Sequence, residues 1–516
     1  MTDSETVTAP VTRRAALVVI CGILALTFLD TTVVSVALGS IQTHLHLGVT
    51  GLQWVVDAYA VAFASLMLTG GTLGDRFGRR RLMLAGVVIF AAASLLGALA
   101  QSGNVLIVSR ALMGVGAAAS EPGTLSVLRH VYPDRHGRAR ALGLWAAVSC
   151  LGLALGPVIG GVSVSLWDWR GVFWLNVVVA VVLLVTAYRY VPESSDPDAA
   201  PVDLPGQLLA IGGIAMIVIA LIQGERAGYA AAHIITLFVL GTICMLAFVR
   251  HELASPAPML DLRYFRRLRF NAALAVAFAA YFGTFSIFFF SALYLEAVDG
   301  FSGYRLALLF LPMTVLMVGG AVAGGRLVVR RNGRWTMAIG AMLAAAGIAA
   351  SEPLLHPHPN FGALMATLAL TGLGMGTAMV PVTSVVLEVV PPEHSGMAAS
   401  ATNTARQLGV VFGVAILGSL VNAGLKADLV HELTKLHVPS IFHDPIIHAY
   451  ENGKLTSSGG SGSGGLFDWF VDQIRASAFV AFHDGLTTAL VISAILIAAA
   501  ALFAGYAAAR GDDVSS

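Results

Sequence analysis

Four ionisable side chains stand in stretches that offer them almost no polar company: Asp30 in LALTFLDTTVVSVAL, Asp57 in QWVVDAYAVA, Arg110 in NVLIVSRALMGVG and Glu121 in AAASEPGTLSVL. A carboxyl in such a setting has three uses. It can take up a proton on one side of a barrier and release it on the other, it can neutralise a cationic ligand, or it can hold a buried arginine in an ion pair. Which use applies depends on the elements that carry it.

Those elements are membrane helices. Of the 516 residues, 57% are hydrophobic and 11% charged, against about 25% charged in an ordinary soluble domain. Runs of the length needed to cross a bilayer, about 20 residues, occur at roughly 15–38, 52–72, 82–101, 104–126, 139–165, 170–191, 206–223, 232–250, 270–296, 303–325, 336–352, 361–383, 398–422 and 485–508. The chain therefore reads as an all-α integral membrane protein with fourteen spans. The first run is too long for a removable signal peptide and lacks a small-residue cleavage site, so it is expected to stay as a span. Cys21, Cys150 and Cys244 all fall inside predicted spans and are odd in number, which implies no disulfide framework. A net charge of +1 gives no reason to expect nucleic acid.

Arginines in short loops are retained on the cytoplasmic side. Arg13 and Arg14 precede span one, Arg76, Arg79, Arg80 and Arg81 follow span two, and Arg129, Arg135, Arg138 and Arg140 follow span four. Arg263, Arg266, Arg267 and Arg269 follow span eight, and Arg326, Arg330, Arg331 and Arg334 follow span ten. Both termini are thus expected in the cytoplasm. The long segment at about 423–484 holds Lys426, Lys435 and Lys454 and is placed outside, since long loops cross regardless of charge. After its tract SSGGSGSGG, Leu466, Phe467, Phe470 and Ile474 would share one face of a helix lying on the outer membrane surface, either as a covering flap or as the end of a spacer.

This topology puts Asp30, Asp57 and Arg110 about eight, five and six residues from the outer ends of their spans, a similar depth at about 1.5 Å per residue. They could meet. Three charges at one level are not all satisfied by a single pair, so at least one aspartate is expected to carry the proton; a static pair of Arg110 with Asp30 or Asp57 is the structural alternative. Glu121 lies deeper towards the cytoplasm beside Pro122, where a salt bridge to the Arg129 to Arg140 loop and a proton site are both open.

The chain also repeats. ALMGVGAAASEPGTLSVL from Ala111 and ALTGLGMGTAMVPVTSVVL from Ala369 share Ala-Leu-x-Gly-x-Gly followed by proline, at Pro122 and Pro381. An offset of about 258 equates spans one to six with nine to fourteen, a duplicated six-helix unit of the kind found in transporters, with the path between the halves. The expected organisation is a first bundle over 1–191, an inserted pair of spans over 192–262 and a second bundle over 263–516. The same offset places Phe288, Val315 and Leu368 opposite Asp30, Asp57 and Arg110. It leaves the second half with charges only near helix ends, such as Glu296, Asp299 and Glu388, so the coupling chemistry is expected in the first half.

Longer motifs carry a resemblance. LDTTVVSVAL (29–38), QWVVDAYAVA (53–62), GTLGDRFGRRRLM (71–83), GLALGPVIGG (152–161), WRGVFWLNV and RQLGVVFGVAILGS together resemble the major facilitator superfamily, in particular its fourteen-helix drug:proton antiporters of the QacA and EmrB type. The resemblance implies a major facilitator fold, two six-helix bundles plus two inserted linker helices. It also implies that the aspartates matching Asp30 and Asp57 serve coupling or drug binding. In the loop motif, Gly71, Asp75, Arg76, Gly78, Arg79 and Arg80 match the superfamily pattern. Asp75 and the arginines sit where two helices meet the cytoplasm and could pair as a gate latch, or serve simply as positive-inside anchors. Gly152, Gly156, Pro157, Gly160 and Gly161 match the exporter-associated motif of the fifth helix. Small-xxx-small spacing there leaves a groove for another helix, and the proline removes one backbone bond. Met113 stands where the fourth-helix motif often has glutamine.

Tyr281, Phe285, Phe289 and Met313 are candidates to line a permissive pocket, with ordinary packing or lipid contact as the alternative. A Walker phosphate loop needs Gly-Lys-Ser/Thr, whereas the three lysines precede Ala427, Leu436 and Leu455. No H-E-x-x-H, G-x-S-x-G or paired-cysteine signature suggests an enzyme. The expected function is export of amphipathic or cationic drugs in exchange for protons, with no cofactor, by a monomer in a bacterial cytoplasmic membrane. The competing expectation is a dedicated exporter of one metabolite, such as an endogenous antibiotic, amino acid or lipid.

Overall fold

The computed structural model describes residues 10–195, 203–256, 258–299, 301–330, 333–355, 360–391, 395–435, 443 and 466–510. Among them are fourteen long helices: α1 (Pro10–Leu45), α2 (Val49–Phe77), α3 (Arg79–Ala98), α4 (Gly103–Val131), α5 (Arg135–Leu166), α6 (Arg170–Tyr190), α7 (Leu204–Ala227), α8 (Ala232–Ala254), α9 (Leu268–Asp299), α10 (Gly303–Arg330), α11 (Gly333–Ser351), α12 (Phe361–Val389), α13 (Ser395–Lys435) and α14 (Leu466–Ala509). Each predicted span falls on one of them. Over the described residues, eleven are long and apolar enough to cross a membrane, all but α2, α5 and α9. Every backbone N–H and C=O in a bilayer must be paired internally, which is why a chain this apolar resolves into helices alone.

The segment at about 423–484 differs from expectation. α13 runs on to Lys435, and residues 466–484 are not a separate surface helix but the first turns of α14, continuous with its last-span portion. Nothing between Leu466 and His483 breaks a helix, and Gly485 inside α14 packs against Val421 of α13 instead of ending it. The tract SSGGSGSGG lies outside the described residues.

The helices pack in the same pattern twice. α1 lies on α5 and α6, α2 and α3 on α4, and α3 on α6; likewise α9 lies on α13 and α14, α10 and α11 on α12, and α11 on α14. α7 pairs with α8 and also touches α2 and α13. The most extensive seams between the six-helix sets are α2 with α13 and α5 with α10, with α1 on α9 and α4 on α13 beside them. α2 and α13 run antiparallel, with Gln53 against Gly418 at one end and Gly71 facing Ser400 at the other.

The repeat is visible at single glycines. Gly114 of α4 meets the Tyr59 carbonyl of α2, and Gly372 of α12 meets the Met313 carbonyl of α10; Gly116 packs on Gly86 and Phe90, and Gly374 on Gly340 and Ala344. A Cβ at any of these would strike backbone, so glycine is needed for the approach itself. The matched pairs also correct the register: α4 and α12 correspond at an offset of 258, but α2 and α3 correspond to α10 and α11 at 254. The counterpart of Asp57 is therefore Leu311, not Val315, while Leu368 stays opposite Arg110.

Two prolines close the comparison. Pro122 has no N–H for the Ala118 carbonyl four residues back, and Gly70 of α2 lies on that carbonyl; Pro381 leaves the Thr377 carbonyl free, and Gly324 of α10 lies on it.

Candidate functional site

Asp30 and Arg110 meet. Arg110 Nη1 donates to Asp30 Oδ2 at 2.5 Å, and Arg110 Nε donates to the Val55 carbonyl at 3.0 Å. The guanidinium lies 4.5 Å from the Tyr59 ring centroid, within cation–π range. Tyr59 is fixed in turn by donating its hydroxyl to the Thr27 carbonyl at 3.1 Å. Met113 places its sulfur 3.7 Å from Arg110 Nη1. Asn176 of α6 donates to Asp30 Oδ1 at 2.6 Å, so both oxygens of this carboxylate are occupied. α1, α2, α4 and α6 all contribute to the cluster. A buried charge persists when it is paired and hydrogen-bonded, as Asp30 is.

Asp57 does not join it. It is fully buried, and neither carboxyl oxygen has a partner among the described residues. It stands one turn along α2 from Gln53, which packs on Gly418 of α13; Gln53 is also buried, without partners for either polar atom among the described residues. The similar depth read from sequence is compatible with this placement, but only one of the two aspartates holds the arginine.

Glu121 turns across the seam. Its Oε1 accepts from Asn403 Nδ2 of α13 at 2.8 Å, and Asn403 Oδ1 accepts from Arg406 Nη1 at 3.0 Å. Arg406 Nη2 donates to Thr383 Oγ1 of α12 at 3.0 Å, and its guanidinium lies 5.8 Å from the Tyr281 ring. Glu121 thus engages the second half rather than reaching a cytoplasmic arginine as its described partner. Arg406 also overturns the expectation that second-half charges stay near helix ends: it is 4% exposed and three turns into α13.

The backbone and arginines of the loop motif make their described contacts within the first half, while Gly71 faces Ser400 of α13 across the seam. Gly78 has φ of +111°, a conformation that L side chains rarely adopt, and links α2 to α3. Beyond it, the Arg79 N–H donates to the Ser194 carbonyl at 2.9 Å and the Arg80 N–H to Glu193 Oε1 at 3.1 Å. Arg80 Nη1 donates to the Val191 carbonyl at 3.3 Å, and Arg81 Nε lies 3.7 Å from Glu193 Oε2. The motif therefore clamps the segment following α6. Arg76 is exposed, Gly71 faces Ser400 and Pro122, and the Asp75 side chain lies outside the described residues.

In the fifth-helix motif, Gly152 packs on Ala25 and Phe28, Gly156 on Thr32 and Val33, and Gly160 on the Val33 carbonyl. These contacts bracket Asp30 along α1. Pro157 and Gly161 are buried beside them. Of the pocket candidates, Tyr281 and Met313 are buried, Met313 beneath Gly372 and Tyr281 beside Arg406; the side chains of Phe285 and Phe289 lie outside the described residues.

Comparison with known proteins decides the family, since the Major Facilitator Superfamily matches residues 20–414. The chain belongs to the Major Facilitator Superfamily. It is 31% identical to the multidrug efflux pump LfrA of Mycolicibacterium smegmatis over 98% of both chains. It is 34% identical to the puromycin resistance protein pur8 of Streptomyces alboniger over 85% of this chain and 87% of that one. Identity to the methylenomycin A resistance protein of Bacillus subtilis is 33%, over 78% and 86% of the two chains. Among solved structures, a bacterial homolog of the human lysosomal transporter Spinster superposes with a TM-score of 0.64 at 18% identity, covering 97% of this chain and 98% of that one. Membership makes the chain a multi-pass membrane transporter and not an enzyme.

Within the superfamily framework, sequence reasoning finds Asp30, Asp57, Arg110 and Glu121 and misses one buried charge, Arg406, and the amides Asn176 and Asn403. Asn176 lies in WRGVFWLNV and Asn403 and Arg406 in or beside RQLGVVFGVAILGS, stretches that had been read only as family signatures. An arginine inside a predicted span was signal enough for Arg406. Neutral amides in apolar helices carry a weaker version of the same signal, because each must find a partner.

Proposed function

We propose that the chain exports amphipathic, cationic organic molecules from a bacterial cytoplasm in exchange for protons, with Asp57 as the group that exchanges them. The relatives' names support efflux of drugs. The observation that carries the coupling is Asp57 itself: a fully buried carboxyl without a partner among the described residues, one helical turn from Gln53, which packs on Gly418 of α13. Such a group is tolerated when a proton or a cation neutralises it. The two neutralisers exclude each other, and replacing one by the other on opposite sides of the membrane is antiport. Asp30, held by Arg110 and Asn176, keeps its charge paired throughout and shapes the wall beside α2. In this reading the sets 1–191 and 263–516 rock about the α2–α13 and α5–α10 seams, with 192–262 as a flanking insert and one copy as the working unit.

The test is proton movement in proteoliposomes on addition of ethidium, for wild type, Asp57→Asn and Asp30→Asn. Wild type should release protons on drug addition, Asp57→Asn should lose that release, and Asp30→Asn should lose protein stability first. Substrate-driven proton flux undiminished in Asp57→Asn would remove Asp57 from this role.

A second reading, export of one metabolite, is favoured by relatives named for single antibiotics, puromycin and methylenomycin A. A resistance panel separates the two: protection against many unrelated dyes and quaternary amines supports the first, protection against one compound the second.

A further inference from the structure

A second buried polar group lies in the same seam and is not used by the exchange at Asp57. Asn403 places one amide between a carboxyl and a guanidinium, its N–H on Glu121 and its carbonyl under Arg406. Glu121, Asn403 and Arg406 are 1%, 6% and 4% exposed. Among the described residues each charged member still has an unanswered atom, Glu121 Oε2 and Arg406 Nε, and Gln407, the residue after Arg406, is buried with Oε1 unanswered. Tyr281 adds an aromatic face beside the guanidinium.

We infer that this cluster is the polar subsite for substrate, and that it takes molecules carrying both an amine and a carbonyl or carboxylate acceptor close together on an apolar body. The inference rests on the export reading above. Opening of the seam imposes an exchange of partners. When the halves part, Glu121 leaves with α4, while Asn403, Arg406 and Thr383 stay with α13 and α12. The Asn403–Glu121 bond is the contact that breaks, and it leaves an acid without its donor opposite a guanidinium with a spare N–H. A ligand that offers an N–H or ammonium to the acid and an oxygen to the arginine restores what the amide supplied. An amine alone answers only Glu121. A carboxylate alone answers Arg406 but is repelled by Glu121, and a neutral apolar molecule answers neither.

The test is equilibrium binding to the purified protein in lipid nanodiscs, without a proton gradient, using four naphthalene compounds: 2-ethylnaphthalene, 2-(2-naphthyl)ethylamine, 3-(2-naphthyl)propionic acid and 2-naphthylalanine amide. Wild type should bind the amide, which has both groups, about tenfold more tightly than the amine. Arg406→Gln should bring those two within about twofold of each other while leaving the amine's affinity unchanged, and Glu121→Gln should weaken both. Arg406→Lys, which keeps the charge but loses the planar fork, should weaken the amide selectively if Arg406→Gln does not fold. Equal binding of all four compounds by wild type overturns the proposal. So does a uniform loss across the series in a well-folded Arg406 variant, which would make the arginine purely structural. Because no gradient is present, failure here leaves proton-coupled export standing, and failure of proton release at Asp57 leaves this ranking intact.

Discussion

At the residue scale, the two aspartates of similar sequence context have opposite surroundings. Asp30 is answered on both oxygens and Asp57 on neither. Removing one member of a buried pair costs about 3–5 kcal/mol, because the other is left charged and alone. Arg110→Ala is therefore expected to lower the apparent melting temperature sharply, and Arg110→Met with Asp30→Asn to lose less than the two single changes added together. Additive losses would mean that the pair contributes no coupling energy. Asn176→Leu should cost about 1–3 kcal/mol by leaving Asp30 Oδ1 unanswered, read in the same thermal assay. The charges of this cluster were legible because ionisable residues are rare in apolar runs. Their partners were not, since which neutral amide faces which carboxyl depends on helix rotation, and no spacing rule in a single sequence fixes that.

At the element scale, glycine sets how near two helices come. Gly156 allows α5 to lie on Thr32 and Val33 of α1, two residues from Asp30, whereas Gly319 has open space around the place of a side chain. Gly156→Ala should destabilise by about 1–3 kcal/mol through overpacking and should disturb export, and Gly319→Ala should be neutral or gain up to about 1 kcal/mol in helix propensity. Thermostability of the two variants by size-exclusion chromatography after heating separates them; equal losses would refute the close-packing account. Helix positions were readable from hydropathy because span length is dictated by bilayer thickness. The run from Leu466 departs from expectation for the complementary reason: the apolar face of Leu466, Phe467, Phe470 and Ile474 suggests a surface helix, but with no Gly or Pro before Gly485 the backbone has no place to stop.

At the scale of the whole molecule, the repeat was legible and its register was not uniform, since loop lengths differ between the halves and a single offset misplaced the counterpart of Asp57. The seam between α2 and α13 joins the halves at both ends, through Gln53 with Gly418 and through Gly71 with Ser400. A disulfide between Gln53→Cys and Gly418→Cys, in a background with Cys21, Cys150 and Cys244 replaced by alanine, should arrest export under oxidation and release it on reduction. Export unaffected by the crosslink would show that this end of the seam does not part. The bare carbonyls of Ala118 and Thr377 add a mechanical property to this arrangement. A helix that bends where proline has already removed the bond has no bond left to break, so α4 and α12 each contain a joint, at the same place in the two halves and beside Glu121 and Thr383. Gly70 and Gly324 fit against the oxygens there. One methyl group at either glycine would alter the joint's elastic stiffness without touching a single charge.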